Sequence, residues 1–279
     1  MADYANADAL VDTAWLEEHL NDQDLAVVEV DEDTSAYEKG HIPNAIAVNW
    51  ETELHDSPRR EFVSSEQLGK LLGGKGISND QTIILYSGNN NWFASYAYWL
   101  FKYRGIENVK LLNGGRKKWE LESRTLDQEQ PSRSGATYQV GPEHPELRIF
   151  RDEVLQRVSG DAAWVDVRSP EEFRGELLAP PHLPQEQAQV PGHIPGASNI
   201  TWSKTVNEDG TFKTTDELRK LYEAEGIKSD QDVVTYCRIG ERSSHSWFVL
   251  KELLGFEKVR NYDGSWTEYG SLVGVNIEK

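Results

Sequence analysis

Cysteine and methionine each occur only once among the 279 residues. A single cysteine excludes an intramolecular disulfide and any metal site built from several thiolates. Taken alone, Cys237 is compatible with two interpretations, a small buried core residue or a nucleophile kept reduced by its compartment. Its sequence neighbours have to decide between them.

Basic residues are also scarce, with 29 Lys and Arg against 47 Asp and Glu and a net charge of −18. Such a surface repels the phosphates of nucleic acids and anionic lipids, so we expect neither a nucleic acid nor a membrane as a partner. The same field repels small anions. Any anion site therefore needs a local cluster of arginines and inward-pointing backbone N–H groups.

Long hydrophobic runs are missing as well. None approaches the roughly 18–20 residues that cross a bilayer. Residues 1–8 lack the basic and apolar regions of an export signal. We therefore expect a soluble cytoplasmic protein, whose oligomeric state the sequence leaves open.

What the chain does contain is an internal repeat. Residues 41–45 (HIPNA) recur 152 positions later as residues 193–197 (HIPGA), and residues 86–114 align with 236–264 without a gap. Helix-start patterns recur too, Ser64 with Gln67 and Thr214 with Glu217, each a capping box. Because repeats govern the whole fold, the chain is predicted to be a duplication of one domain.

Short β-rich runs alternate with helical patterns in both halves. This alternation predicts two α/β domains, each a parallel sheet flanked by helices. A helix is predicted just after Cys237, with Gly255 ending it. The predicted strands are residues 25–30, 45–50, 82–87 and 109–112, then 163–167, 197–202, 232–237 and 259–262.

A polar stretch that contains both Pro and Gly, residues 128–135, is typical of an interdomain linker. We place a first domain at 1–127, a linker at 128–145 and a second domain at 146–279. The second half carries fifteen extra residues before its HIPGA motif, including Pro180, Pro181 and Pro184. This insertion is predicted to be an ordered surface excursion, either a domain contact or decoration.

Cys237 lies where a buried-type strand ends and a tight loop leads into a helix. Ligands bind at this edge of parallel sheets, because loop amides and helix N-termini converge there. Such a cradle, with Arg238 and Arg242, is expected to lower the thiol pKa and to stabilise a persulfide anion. Glu241 opposes this effect, so its carboxylate should point to solvent or pair with an arginine.

Residues 237–243 (CRIGERS) resemble the active-site loop of the rhodanese family, specifically its tandem-domain thiosulfate sulfurtransferases. Residues 166–168 (DVR), 192–197 (GHIPGA) and 262–266 (YDGSW) support the resemblance in the family's order, and it covers nearly the whole chain. It implies two rhodanese-like domains and a ping-pong cycle. In that cycle Cys237 takes sulfane sulfur from a small anionic donor and passes it to a thiophilic acceptor such as cyanide, without a metal or organic cofactor.

The remaining loop residues are assigned to binding of the donor, with Arg242 foremost because it ends the loop. The other members of this group are Arg238, Ile239, Gly240, Glu241 and Ser243. Asp166 and Arg168 end a neighbouring strand and are expected to orient the loop. His41 and His193 are interpreted as structural, and His245, about two turns into the helix, as too far from the thiol for proton transfer.

The first half has residues 87–91 (SGNNN) where the second has its cysteine loop. A hydroxyl with no base beside it is a poor nucleophile, so the first domain is predicted to be catalytically silent. The resemblance implies that aromatic side chains of the silent domain border the active cleft. Trp92 and Phe93 are candidates, as is Trp202 from the second half, with core packing as the alternative.

Three other functions compete. A 3-mercaptopyruvate sulfurtransferase usually has a smaller, less charged loop, whereas Arg238 and Arg242 favour a doubly charged inorganic donor. A Cys-dependent phosphatase or arsenate reductase has a loop one residue longer, so a tetrahedral oxyanion would be cramped here. A persulfide carrier that delivers sulfur to a protein partner stays open.

Overall fold

The computed structural model describes residues 3–56, 59–158, 160, 162–180 and 187–279. It contains two compact units. The N-terminal unit comprises Asp8–His144 with Val206–Phe212, and the C-terminal unit comprises Pro145–Thr205 and Lys213–Lys279 with Met1–Ala7. The domain limits at residues 127 and 146 stay a prediction.

The N-terminal unit is built on a five-stranded sheet of order β1-β7-β6-β2-β3, in which all pairs are parallel. A short antiparallel ladder joins β4 to β5. Its strands are β1 Leu10–Val11, β2 Leu25–Glu29, β3 Ile46–Ala47, β4 His55–Asp56, β5 Glu61–Phe62, β6 Thr82–Tyr86 and β7 Val109–Leu112. Its α-helices are α1 Thr13–His19, α2 Ala36–Lys39, α3 Trp50–Glu53, α4 Ser65–Gly74, α5 Trp92–Arg104 and α6 Gly115–Leu121, with a 3₁₀ turn at Asn89–Asn91.

The C-terminal unit repeats the plan with a four-stranded parallel sheet of order β11-β10-β8-β9. Its strands are β8 Ala163–Asp166, β9 Ser198–Asn199, β10 Val233–Tyr236 and β11 Val259–Tyr262. Its α-helices are α7 Arg151–Arg157, α8 Pro170–Phe173, α9 Thr215–Glu223, α10 Glu241–Phe248 and α11 Ser265–Tyr269, with 3₁₀ turns at Pro145–Leu147 and Trp202–Thr205. Helix α10 continues as a π-helical segment, Val249–Leu253.

The predicted fold class, two parallel α/β units related by duplication, is confirmed. The central strands β2, β6 and β10 are almost wholly buried, as expected for parallel sheets covered on both faces. Both predicted capping boxes are present, at Ser64 and Thr214. Gly255 follows the end of the helix at φ +72°, which satisfies the predicted stop.

The edge strands differ from the prediction. The runs at residues 45–50 and 197–202 form only two-residue strands, β3 and β9, and their last residues, Trp50 and Trp202, belong to helical turns. Strand β1 and the β4–β5 ladder were not predicted. Such short edges depend on pairing with a neighbour rather than on their own sequence, so a local pattern does not define them.

The insertion of the second half is described only in part. Pro180 lies within the described residues, whereas Pro181 and Pro184 lie outside them. The prediction of an ordered excursion therefore stays untested. Within the described part of the chain, no helix has the length and apolar character needed to cross a membrane.

Candidate active site

Cys237 directly follows strand β10, which lies between β8 and β11 in the middle of its sheet. The last residue of β10, Tyr236, pairs with Asp166 on β8 and Tyr262 on β11. The thiol therefore lies at the carboxyl edge of the sheet, where the sequence predicts it. The residue is 0% exposed.

The loop after Cys237 directs backbone and hydroxyl groups at the sulfur. Gly240 donates its N–H to Sγ at 3.2 Å, and the hydroxyl of Ser243 lies 3.7 Å from Sγ. Gly240 has φ +100°, and a Cβ there would approach the Cα of Asp263 to 2.7 Å, so only glycine fits. The loop thus holds hydrogen-bond donors around one sulfur position.

Glu241 is the nearest charged group to the thiol. Cys237 Sγ donates to Glu241 Oε2 at 3.4 Å, while Glu241 Oε1 lies 3.9 Å from Arg238 Nη2. The Glu241 side chain is only 1% exposed. Of the two predicted orientations, the one towards solvent is wrong, and the ion pair with an arginine exists only at long range.

The resting thiol does not have the lowered pKa expected from the sequence. Burial raises the pKa of Cys237, the carboxylate of Glu241 raises it further, and Arg242 lowers it by less. The sequence shows the arginines and the helix start but not how deeply the sulfur is buried. Desolvation of a thiolate in that position outweighs the nearby positive charge.

Arg242 is held by a carboxylate of its own. Its Nη1 and Nη2 donate to Glu172 Oε2 and Oε1 at 2.8 and 3.0 Å, and the Glu172 side chain is 0% exposed. Glu172 also completes the capping box of α8 with Ser169. Although burial alone would raise it, the hydrogen bonds from Arg242 bring the pKa of Glu172 below its usual value. Arg242 therefore ties the loop to α8.

Arg238 is in the opposite situation. Its side chain is 1% exposed, and among the described residues no hydrogen-bond acceptor meets Nε, Nη1 or Nη2. Burial lowers its pKa, although a guanidinium stays charged at neutral pH. A buried, unsatisfied guanidinium is costly unless an anion binds to it. Arg238 thus has the donor capacity that Arg242 has already used.

Asp166 and Arg168, predicted to orient the loop, form a fully buried ion pair with each other. Arg168 Nη2 donates to Asp166 Oδ2 at 2.6 Å and to the carbonyl of Gly192 at 2.7 Å. This pair joins the end of β8 to the GHIPGA segment. Asp166 is the β8 partner of Tyr236, which directly precedes Cys237, and the orienting role of the pair stays a prediction.

Sequence reasoning missed three residues that support the loop. Asn261 accepts from the hydroxyl of Ser243 at 2.6 Å and donates to the carbonyl of Gly240 at 3.1 Å. Ser265 accepts the N–H of Cys237 at 3.1 Å. The third is Glu172, whose capping-box pattern is visible in the sequence although its partner, 70 positions away, is not.

The predicted aromatic candidates are all buried. Trp202 lies edge-on to His245 at 5.2 Å, within the C-terminal unit. Trp92 and Phe93 open α5 of the N-terminal unit, where Phe93 packs 4.7 Å from Trp50. Core packing is thus observed for Phe93, and a role of these rings at a cleft stays a prediction.

The three histidines considered in the sequence make local contacts within their units, and their structural role stays a prediction. His41 Nδ1 bonds the carbonyl of Tyr37 at 2.9 Å, and His193 Nδ1 bonds the carbonyl of Phe173 at 2.8 Å. Each imidazole also stacks on that same aromatic ring. His245 is buried in α10, with Nδ1 3.5 Å from a threonine hydroxyl.

The loop after Ser87 differs from the cysteine loop in what its amides bind, and the catalytic silence of the N-terminal unit stays a prediction. Asp31 Oδ2 accepts the N–H of Gly88 at 2.5 Å, and Asn91 Oδ1 accepts the N–H of Ser87 at 3.0 Å. Residues 89–91 all have positive φ, which asparagine tolerates better than most side chains. Oxygen atoms of the protein already occupy these loop amides.

No group of three or more His, Cys, Asp or Glu side chains able to hold a metal ion occurs among the residues that the structure describes. The site just described consists of the thiol, the carboxylates of Glu241 and Glu172, and the guanidinium groups of Arg238 and Arg242. These groups can perform nucleophilic chemistry at sulfur and can bind an anion.

Comparisons with known proteins show what the chain as a whole is similar to. A family model described as the rhodanese-like domain matches residues 12–122 and 150–272. A protein of Saccharopolyspora erythraea named "Putative thiosulfate sulfurtransferase" is 59% identical over 97% of this chain and 96% of its own length. "Sulfur carrier protein TtuD" of Thermus thermophilus is 54% identical over 99% of this chain and 98% of its own. Among solved structures, the anaerobic ergothioneine biosynthesis enzyme of Chlorobium limicola has the same fold, with a TM-score of 0.86 at 24% identity over 100% of this chain and 72% of that one.

Proposed function

The chain belongs to the rhodanese-like family, and from this premise we propose that it is a thiosulfate sulfurtransferase that works through a Cys237 persulfide. One observation carries the proposal. The only thiol of the chain lies at the carboxyl edge of its sheet, 3.2 Å from a loop amide and beside the buried guanidinium of Arg238, whose nitrogens meet no acceptor among the described residues. The relatives named for thiosulfate sulfur transfer support the same activity.

The donor is expected to bind at Arg238. A thiosulfate dianion places its sulfonate oxygens on the unsatisfied nitrogens of Arg238 and its outer sulfur towards Cys237. Each charge-assisted hydrogen bond contributes roughly 1.5–3 kcal/mol. Arg242 Nη1 and Nη2 already donate to Glu172, so we assign Arg242 to holding the loop in place.

The first half-reaction forms one sulfur–sulfur bond and breaks another. Sγ of Cys237, as a thiolate, attacks the outer sulfur of thiosulfate. The bond between the two donor sulfurs breaks, and its electron pair leaves with sulfite. The outer sulfur stays on Cys237 as the terminal atom of a persulfide anion. The Gly240 N–H and the Ser243 hydroxyl surround the position of this new charge.

The second half-reaction returns the enzyme to its starting state. A thiophilic nucleophile such as cyanide attacks the terminal sulfur, and Sγ leaves as a thiolate. No atom or electron has to come from a cofactor. Cys237 is 0% exposed, which favours small donors and acceptors over direct attack by a large protein surface.

Two alternatives have observations in their favour. The relative named as a sulfur carrier suggests that the persulfide is passed to a protein partner. A 3-mercaptopyruvate donor would also use Cys237, but its single carboxylate matches the buried guanidinium of Arg238 less well than a sulfonate does. Initial rates with thiosulfate and with 3-mercaptopyruvate, measured side by side with cyanide as acceptor, distinguish the donors. Slow turnover with every small acceptor would favour the carrier.

Substitution of the nucleophile tests the mechanism. Cys237→Ser should abolish transfer, because oxygen cannot form a persulfide, and should leave the fold intact, because the change in size is small. Mass spectrometry after treatment with thiosulfate should show one added sulfur on the wild type and none on the variant. Continued turnover of cyanide by Cys237→Ser would show that Cys237 is a structural thiol.

A further inference from the structure

We propose that Glu241 is a second catalytic residue, which accepts the Cys237 proton and keeps it for as long as the sulfur is negatively charged. This inference rests on the proposed function, because it concerns the reacting thiol. Nothing in the sequence pattern indicates it. There, Glu241 is an acidic residue that opposes formation of a thiolate.

The position of the carboxylate is the first observation. Sγ of Cys237 donates to Glu241 Oε2 at 3.4 Å, so proton transfer needs no intervening water and no movement of the chain. Glu241 is the first residue of α10, a position where an acidic side chain is common because of the helix dipole. The helix dipole does not explain why this side chain is 1% exposed and bonded to the sulfur.

The incomplete satisfaction of the carboxylate is the second observation. Among the described residues, no hydrogen-bond donor meets Glu241 Oε1. Burying a carboxylate with one bare oxygen costs free energy that a purely structural residue would avoid by pairing. Protonation of Glu241 removes that cost, and it does so at the moment when the sulfur acquires its charge.

The surrounding charges favour one proton shared by the two groups. Arg238 lies 3.9 Å from Glu241 Oε1, and Arg242 on α10 is compensated by Glu172 on α8. Asp263, which lies against Gly240, is paired with Arg148 at 2.8 Å. A thiolate and a carboxylate side by side would place two negative charges next to a dianionic donor. With the proton on Glu241 the pair carries one negative charge throughout.

The proton balance closes over both half-reactions. Before attack, the Sγ–H bond breaks, its proton bonds to a carboxylate oxygen of Glu241, and its electron pair stays on sulfur. Sulfite then leaves and the persulfide keeps one negative charge, with neutral Glu241 beside it. When the acceptor removes the outer sulfur, Sγ leaves as a thiolate and takes the same proton back. No proton has to enter from solvent.

The test is the pH dependence of the sulfur's reactivity in Glu241→Gln, which keeps the shape of the side chain but cannot take the proton. Iodoacetamide labels the only cysteine without any sulfur donor. With a shared proton, the wild-type labelling rate should change by less than about threefold between pH 6 and 8. In Glu241→Gln the proton must go to solvent, so the rate should rise about tenfold per pH unit below the pKa of the thiol.

Glu223→Gln, which removes an exposed carboxylate from α9 of the same unit, is the matched control and should follow the wild type. Circular dichroism and thermal melting check the fold of each variant. If Glu241→Gln does not fold, Glu241→Ala carries the same expectation. Equal pH slopes in the wild type and a folded Glu241 variant would overturn the proposal, because a structural role leaves the slope unchanged.

A second measurement separates this inference from the proposed function. The rate of sulfur loading from thiosulfate, followed by mass spectrometry, should show the same change of pH slope as the labelling. If wild type does not load sulfur at all, the proposed function fails. The labelling profile still decides whether Glu241 and Cys237 share a proton.

Discussion

Removal of Arg242 should mainly lower the stability of the protein, whereas removal of Arg238 should mainly lower its activity with thiosulfate. Arg242 has a buried bidentate partner in Glu172, whereas among the described residues no acceptor meets the guanidinium of Arg238. Arg242→Ala leaves the carboxylate of Glu172, which is 0% exposed, without its counter-charge. Arg238→Ala removes a buried guanidinium whose ion pair, to Glu241 Oε1, is 3.9 Å long.

The magnitudes follow from burial. Breaking a buried ion pair by deleting one partner costs ~3–5 kcal/mol, because the other charge stays buried. For a chain of this size that corresponds to a melting temperature lower by ~10 °C. Arg238→Ala should lose much less stability than Arg242→Ala, because the one ion pair that it breaks, with Glu241 Oε1, is 3.9 Å long. Its kcat/KM for thiosulfate should instead fall roughly ten- to a hundredfold, the value of one charge-assisted contact.

Thermal melting and initial rates on the same preparations provide the comparison. Arg219→Ala removes an exposed arginine from α9 and should change neither quantity by much, since exposed ion pairs contribute ~0–1 kcal/mol. Arg242→Lys should recover part of the stability, because lysine keeps the charge but not the bidentate fork. The assignment is refuted if Arg242→Ala melts within 2 °C (about 1 kcal/mol) of wild type, or if Arg238→Ala is the less stable of the two.

Two further predictions concern the silent loop and acid stability. Ser87→Ala should leave turnover within about twofold of wild type. Ser87→Cys should not gain sulfur from thiosulfate, because Asp31 and Asn91 occupy the loop amides. Sulfur loading of the new thiol comparable to that of Cys237 would contradict this prediction. The lowered pKa of Glu172 contributes stability that is present above the unfolded value of ~4.3 and is lost as pH falls through the folded value. The free energy of unfolding of Glu172→Gln, measured with urea, should therefore be lower than that of wild type at about pH 6, and the difference should be smaller near pH 3. A difference that does not change with pH would show that the carboxylate is not charged in the fold.

Much of the scaffold could be predicted from the sequence, because its signals are local. Continuous apolar runs define the central strands, and Ser64 and Thr214 announce their helices within four residues. The position of Cys237 follows from the strand that precedes it. The sequence predicts edge strands that are too long, because the observed two-residue strands β3 and β9 exist only through pairing with a neighbour.

The electrostatics of the site could not be predicted, because they depend on distances across the fold. The sequence places two arginines near the thiol and suggests similar roles for them. Only the structure separates them, since the partner of Arg242 lies 70 positions away. The burial of a side chain likewise depends on residues that are distant in the sequence. Neighbouring residues do not reveal that Cys237 and Glu241 are both inaccessible to solvent, which reverses the expected direction of the thiol pKa.

The duplication itself supplies an internal comparison for the role of Glu241. In the alignment of the halves, Asn91 matches Glu241 and Gly115 matches Ser265. In the N-terminal unit, Asn91 folds back to accept the N–H of Ser87, and a Cβ at Gly115 would lie 2.2 Å from its Oδ1.

In the C-terminal unit the hydroxyl of Ser265 accepts the matching N–H, that of Cys237. Ser265 has φ +51° and Gly115 has φ +53°, so φ is nearly the same at the two matching positions, while the source of the acceptor differs. Because Ser265, at the start of α11, accepts the N–H of Cys237, the side chain at position 241 is not needed as the acceptor of that N–H. It is then free to turn to the sulfur, which is where the carboxylate of Glu241 lies.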